Sequence, residues 1–121
     1  MSNNAIRAKF EELKTLAFGD MDDTYDPVQD SNGDPAPFLH PIRMLIIQNN
    51  TDVALVYSFD GITDQLYLPS FAQVIFDFTS NLTTTGGAFM IAQGTQLYVR
   101  YDVGEPALSG NTTVAAVYGE H

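Results

Sequence analysis

Fifteen carboxylates and two histidines carry nearly all the reactive chemistry of this chain, and their spacing decides what they can do. Six Asp fall in residues 20–41, DMDDTYDPVQDSNGDPAPFLHP. A calcium loop needs oxygen ligands at alternating positions, a Gly for the turn and a bidentate Glu at its end. Asp30, Asn32 and Gly33 align with three such positions, but Val28 would stand first and Leu39 last. The register fails, so a solvated acidic loop is expected, with no metal and no cofactor. His40 precedes Pro41, which favours extended backbone over a helix-borne ligand. A nucleophilic triad needs a Ser beside a His that a carboxylate orients. Only His40 and His121 are present, and there is no Gly-x-Ser-x-Gly elbow. Asp60, Asp64 and Asp77 are candidates for the paired carboxylates of glycoside hydrolysis. Asp60, however, opens an Asp-Gly turn, and Asp77 between Phe76 and Phe78 is expected to face outward. No catalytic residue is assigned and no enzyme is expected.

The Asn-x-Thr sequons at Asn49, Asn81 and Asn111 fit turn chemistry and imply no glycan without a secretory signal. Tyr57, Tyr67, Tyr98, Tyr101 and Tyr118 could line a carbohydrate platform, but strand aromatics at alternating positions are expected to pack instead. The chain has no Cys, which excludes disulfides, thiolate zinc sites and cysteine nucleophiles. Its net charge of −10 disfavours phosphate backbones and anionic membranes, and favours solubility and basic protein partners. The start, MSNNAIRAKFEEL, has no basic segment followed by an apolar run, and no stretch approaches the roughly 20 apolar residues that span a bilayer. A soluble product made in the cytoplasm is expected.

The elements that would position any site divide the chain at residue 41. Residues 42–121 form the expected β domain. Val53, Leu55, Tyr57 and Phe59 alternate, as do Val74, Phe76 and Phe78, so each set is expected to turn one strand face to a core. About seven strands are expected, near 42–48, 53–59, 65–68, 73–78, 89–92, 96–102 and 112–118. Strands this short, with turn signals such as Asp60-Gly61 and Thr85-Gly86-Gly87, point to a β-sandwich or partly closed barrel, and an all-β antiparallel sandwich of jelly-roll or Ig-like type is expected. Residues 1–41 are expected to be a helix over 4–17 followed by an acidic extended arm. Ile6, Phe10, Leu13 and Ala17 recur at spacings of four, three and four, one apolar stripe. A lone helix of that length is marginal in water and needs a surface to pack on.

The succession LAFGDMDDTYDPV, HPIRMLIIQNNTDVALVYSFDGITDQLYLPSFAQVIFDFTSN and GTQLYVRYD resembles a group of small virion proteins of tailed bacteriophages. The resemblance covers about residues 16–103. It is carried by Phe18, Thr24-Tyr25, Pro41, Arg43, the Asn49/Thr51-Asp52 strand end, Ser58-Phe59-Asp60-Gly61, Asp64, Pro69 and Asp77-Phe78-Thr79-Ser80-Asn81. It departs at Pro69-Ser70-Phe71, where a Pro-Ala-Gly-Gly turn would be expected. The resemblance implies a non-enzymatic virion protein, most simply a head–tail connector or neck subunit in a homo-oligomeric ring contacting portal or tail proteins. Capsid decoration, or a receptor- or glycan-binding sandwich, is the alternative. Tight nucleic-acid or membrane binding is not expected, although DNA would pass close to such a ring. Subunit contacts are expected at Ile6, Phe10 and Leu13 of the helix and at Phe18, Tyr25 and Phe38 beyond it. Deleting residues 1–41 is accordingly expected to leave a folded but assembly-defective domain.

Overall fold

The computed structural model describes residues 7–77, 91–102, 104, 106–107 and 109–120. Among them the alternating stretches form nine strands in chain order: β1 (Arg7–Phe10), β2 (Lys14–Ala17), β3 (Asp26–Pro27), β4 (Ile42–Asn49), β5 (Leu55–Ser58), β6 (Leu66–Leu68), β7 (Gln73–Asp77), β8 (Tyr98–Tyr101) and β9 (Asn111–Glu120). They build two antiparallel sheets. The first runs β1-β9-β4-β7, with β2 continuing along the same edge of β9 as β1, and the second runs β3-β8-β5-β6. The chain is all-β, as the alternation predicts. The expected run near 89–92 is represented only by a single bridge between Ile91 and Ile42, and its first two residues lie outside the described set.

The pairing is nested. β2 pairs with β9, β3 with β8, β4 with β7 and β5 with β6, so the first half of the chain meets the second half in reverse order. The inward residues of both sheets meet in one core. Leu16, Ile42, Leu45, Ile47, Val114 and Ala116 come from the first sheet, and Leu55, Tyr57, Leu68 and Val99 from the second. The expected inward set Val53, Leu55, Tyr57 and Phe59 does face this core, as do Val74 and Phe76; Phe78 lies outside the described residues.

The helix expected over 4–17 is not there across 7–17; residues 4–6 lie outside the described set. Arg7–Phe10 and Lys14–Ala17 are strands, hydrogen-bonded in succession to β9. The reason is the exposed edge of β9, Asn-Thr-Thr-Val-Ala-Ala-Val-Tyr, which offers this short segment a ladder of backbone partners that a marginal isolated helix cannot match. The apolar stripe is also not buried: Phe10 is 69% exposed and Leu13 51%.

The acidic segment after it lies against its own sandwich. Met21, Val28 and Phe38 are buried in the common core. Val28 N–H donates to Leu97 O, Phe38 N–H to Thr95 O, and Gln29 and Thr15 exchange a pair of backbone bonds. The Asp residues of this segment shape its turns. Asp30 Oδ1 accepts from the N–H groups of Asn32 and Asp34, and Asp22 Oδ1 from the N–H and hydroxyl of Thr24. Such local bonds are what Asp contributes at turns.

Two positions close the far end of the sandwich. The side chain of Asn49, fully buried on β4, donates to Val53 O, Leu68 O and Pro69 O at 2.9–3.0 Å, and its Oδ1 accepts from Thr51 N–H and Thr51 Oγ1. Leu68 belongs to the opposite sheet, so one amide bridges both layers. Gly110, just before β9, has φ +92°, and a Cβ there would lie 1.9 Å from Asn50 O. Both the dihedral and the contact exclude any other residue. Gly110→Ala is therefore expected to lower stability by about 3 kcal/mol, read from the urea midpoint at unchanged m-value.

Candidate interaction surface

The side chains expected to meet other subunits separate into three groups. Phe10 on β1, Leu13 in the link to β2 and Phe18 in the short 3-10 turn Phe18–Asp20 are exposed. Phe38, by contrast, is 1% exposed, packed in the core beneath Lys14, whose Nζ lies 5.2 Å from the ring centroid. It holds the fold together and presents nothing to a neighbour. Tyr25 is half-buried, donates its hydroxyl to Asp64 and lies 5.3 Å from the Arg100 guanidinium. Ile6 lies outside the described residues.

Strand register places Phe10 in a larger surface. Phe10 stands opposite Val117, Val117 opposite Met44, and Met44 opposite Asp77. The next outward row is Ala115, Ile46 and Ile75, and the one after is Thr15, Thr113, Gln48 and Gln73. The intervening row, Ala116, Leu45 and Phe76, points into the core. The outer face of the first sheet thus carries two apolar rows and one neutral polar row. Gln48 Nε2 donates to Gln73 Oε1, and Thr113 Oγ1 donates to Gln48 Oε1, so that polar row is internally tied. Within these rows Asp77, at one corner, is the only charged side chain. Ile75 is 55% exposed. The sequence singled out Phe10 but missed Met44, Ile46 and Ile75, because a near-continuous apolar run such as Met-Leu-Ile-Ile does not say which side faces out.

The edge carrying Phe10 is fixed by a buried ion cluster that the sequence did not reveal. Glu11 accepts from the N–H groups of Leu39 and His40, from Lys14 Nζ at 3.0 Å and from His40 Nδ1 at 3.0 Å. Its side chain is 1% exposed and that of Lys14 is 4%. The His40 ring stacks on Tyr118 with centroids 3.6 Å apart. Burial alone would raise the Glu11 pKa, but the bonds from Leu39, Lys14 and His40 outweigh it and hold the carboxyl below its ordinary value. Because the folded pKa is depressed, this stabilisation is complete above the unfolded carboxyl's range and is lost as pH falls through the folded value. Glu11→Gln leaves Lys14 buried without its counter-charge. It is expected to cost about 3 kcal/mol at neutral pH and less on acidification, measured as urea midpoints across pH.

Other carboxylates are engaged in structure. Asp60 Oδ1 accepts from Ile62 N–H, Thr63 N–H and Ser58 Oγ, bonds that depress its pKa strongly. Among the described residues no three His, Cys, Asp or Glu side chains are grouped as a metal site would require, and no helix is long and apolar enough to cross a membrane. No protein-family profile, no curated protein and no solved structure matches the chain.

Proposed function

We propose that this chain is a non-enzymatic structural subunit of a tailed-bacteriophage virion, acting in the head–tail connector as a member of a homo-oligomeric ring. The observation that carries the proposal is the set of outer rows on the first sheet, with Asp77 at one corner as their single charge, on a chain of net charge −10. Copies of so acidic a protein repel one another. They can pack only where carboxylates are absent, and Phe10, Val117, Met44, Ile46 and Ile75 supply such a place. The order of motifs from Phe18 to Asn81 supports the phage assignment.

The nested pairing supports a finer description of the fold as a jelly roll rather than an Ig-like sandwich. A ribbon in which β2 to β5 meet β9 to β6 in reverse order, rolled into sheets β2-β9-β4-β7 and β3-β8-β5-β6, has the double Greek-key path of that architecture. Jelly rolls recur in capsid proteins, an analogy of fold and not of site. The exposed Phe10, Leu13 and Phe18 keep the N-terminal segment in the interface, as surface contributed by docked strands. The acidic remainder suits a ring through which DNA slides without adhering.

Two measurements test this. A mass-spectrometric inventory of purified particles should contain the chain at fixed copy number. The double substitution Phe10→Asp, Ile75→Asp alters only exposed positions and should leave stability nearly unchanged while abolishing incorporation. Absence of the chain from particles, or normal incorporation of the double variant, would sink the proposal.

A further inference from the structure

The opposite outer face, that of the second sheet, is built differently. In the row perpendicular to its strands, Tyr67 on β6 stands beside Val56 on β5, and Val56 beside Arg100 on β8. A depression of about 350 Å³ opens there, lined by Val56, Asp64, Gln65, Leu66, Tyr67, Arg100 and Asp102. Its wall is held in place. Arg100 donates through one terminal nitrogen to Tyr101 O at 3.2 Å and through the other to Asp64 Oδ2 at 3.0 Å, while Tyr25 donates its hydroxyl to the other oxygen of Asp64. Gln65 is anchored from the opposite side, its Oε1 accepting from Phe59 N–H. The Tyr67 ring is 58% exposed at the rim, so it contributes little to the fold for its size.

We propose that this depression binds a neutral saccharide, with the sugar's apolar face against the Tyr67 ring and its hydroxyls on Asp64, Arg100 and Asp102. The charge pattern selects the class. Two carboxylates against one guanidinium repel phosphate, sulfate and acidic sugars. A cationic side chain would be set against Arg100, which is already committed to Asp64. A hydroxyl both donates and accepts, so a polyol complements a wall on which a rigid donor and carboxylate acceptors stand side by side. The apolar floor at Val56, with one exposed ring, matches the amphipathic faces of a pyranose, and the volume lies at the lower end of small-molecule sites. The site lies on the other sheet from the proposed subunit contact and does not depend on it.

The test is a titration of the isotopically labelled full chain, followed by amide NMR shifts. The probes are glucose, galactose, mannose and N-acetylglucosamine at millimolar concentrations, with arginine methyl ester and inorganic phosphate run in parallel. Saturable shifts confined to residues around Tyr67, Asp64 and Arg100, given by at least one sugar, are expected. Tyr67→Ala should weaken that binding about tenfold, and Asp102→Asn should weaken it with Tyr67 intact. The spectra themselves report whether each variant is folded. Phe10→Asp, on the other sheet, should bind as the parent does. No saturable shift with any of the four sugars, an unchanged affinity in Tyr67→Ala, or saturation by the arginine ester or phosphate alone would each overturn the assignment.

Discussion

A chain trimmed to residues 42–121 is expected to be unfolded. The cut removes β1, β2 and β3 together with Leu16, Met21, Val28 and Phe38, all of which belong to the common core. At roughly 1.5–3 kcal/mol for each large apolar side chain, the lost burial alone is about 6–12 kcal/mol, as large as the whole stability of an ordinary domain. The outer edge of β9 would also lose its ladder to Arg7–Phe10 and Lys14–Ala17. Poor amide dispersion and no cooperative thermal transition are expected for the fragment. A dispersed spectrum with a sharp transition would show instead that the N-terminal segment is dispensable, as its composition alone suggests. The single substitution Phe38→Ala is a graded version of the same experiment and should cost about 4 kcal/mol.

The second large effect is expected at Asn49. Replacement by Leu keeps the approximate volume but removes the amide donor that Val53 O, Leu68 O and Pro69 O share and strips Thr51 of its acceptor, while Val53 O keeps Thr51 Oγ1 and Pro69 O keeps Ala72 N–H. The lost bonds to Thr51 N–H and Leu68 O cost about 1–2 kcal/mol each and the partial losses at Val53 O and Pro69 O less, so the total is about 4 kcal/mol. Asn49→Asp is the sharper control, since it retains the acceptor for Thr51 while turning the donor toward three carbonyls into a fourth oxygen. It should be no more stable than the Leu variant at neutral pH, and should recover part of the loss in acid, where the carboxyl regains a proton to donate. Urea midpoints at two pH values decide it. A loss under 1 kcal/mol for both variants would mean that water replaces the amide at no penalty, and the bridge between the sheets would then carry no weight.

How far the sequence discloses this molecule depends on which interaction decides each segment. The β domain is legible because Leu55 with Tyr57, and Val74 with Phe76, obey a period that only a pleated strand satisfies. The N-terminal segment is not, because Phe10 and Leu13 sit at helical spacing while the deciding partner, the edge of β9, lies about a hundred residues away. The inward residues there, Lys14 and Leu16, carry an alternation too short to register, and a buried Lys runs against every hydrophobic pattern. Phe38 looks like an arm residue because Pro and Asp surround it, yet its own sandwich covers it. Glu11 was invisible for the same reason: its partners, Leu39 and His40, are brought to it by topology and not by spacing. The surface rows of the first sheet needed register, which depends on the bulge between Ile42 and Met44 as much as on composition.

The reversed pairing of the chain's two halves has a kinetic side. Lys14 meets Val114, a separation of 100 residues, whereas β5 and β6 are joined by a short loop. Closure must therefore spread outward from the β5–β6 hairpin, and the ribosome releases the first strands long before the last one exists to receive them. Until then Leu16, Val28 and Phe38 are sticky and unclaimed, so newly made copies would be most vulnerable to misassociation in the moments just before synthesis of β9 ends.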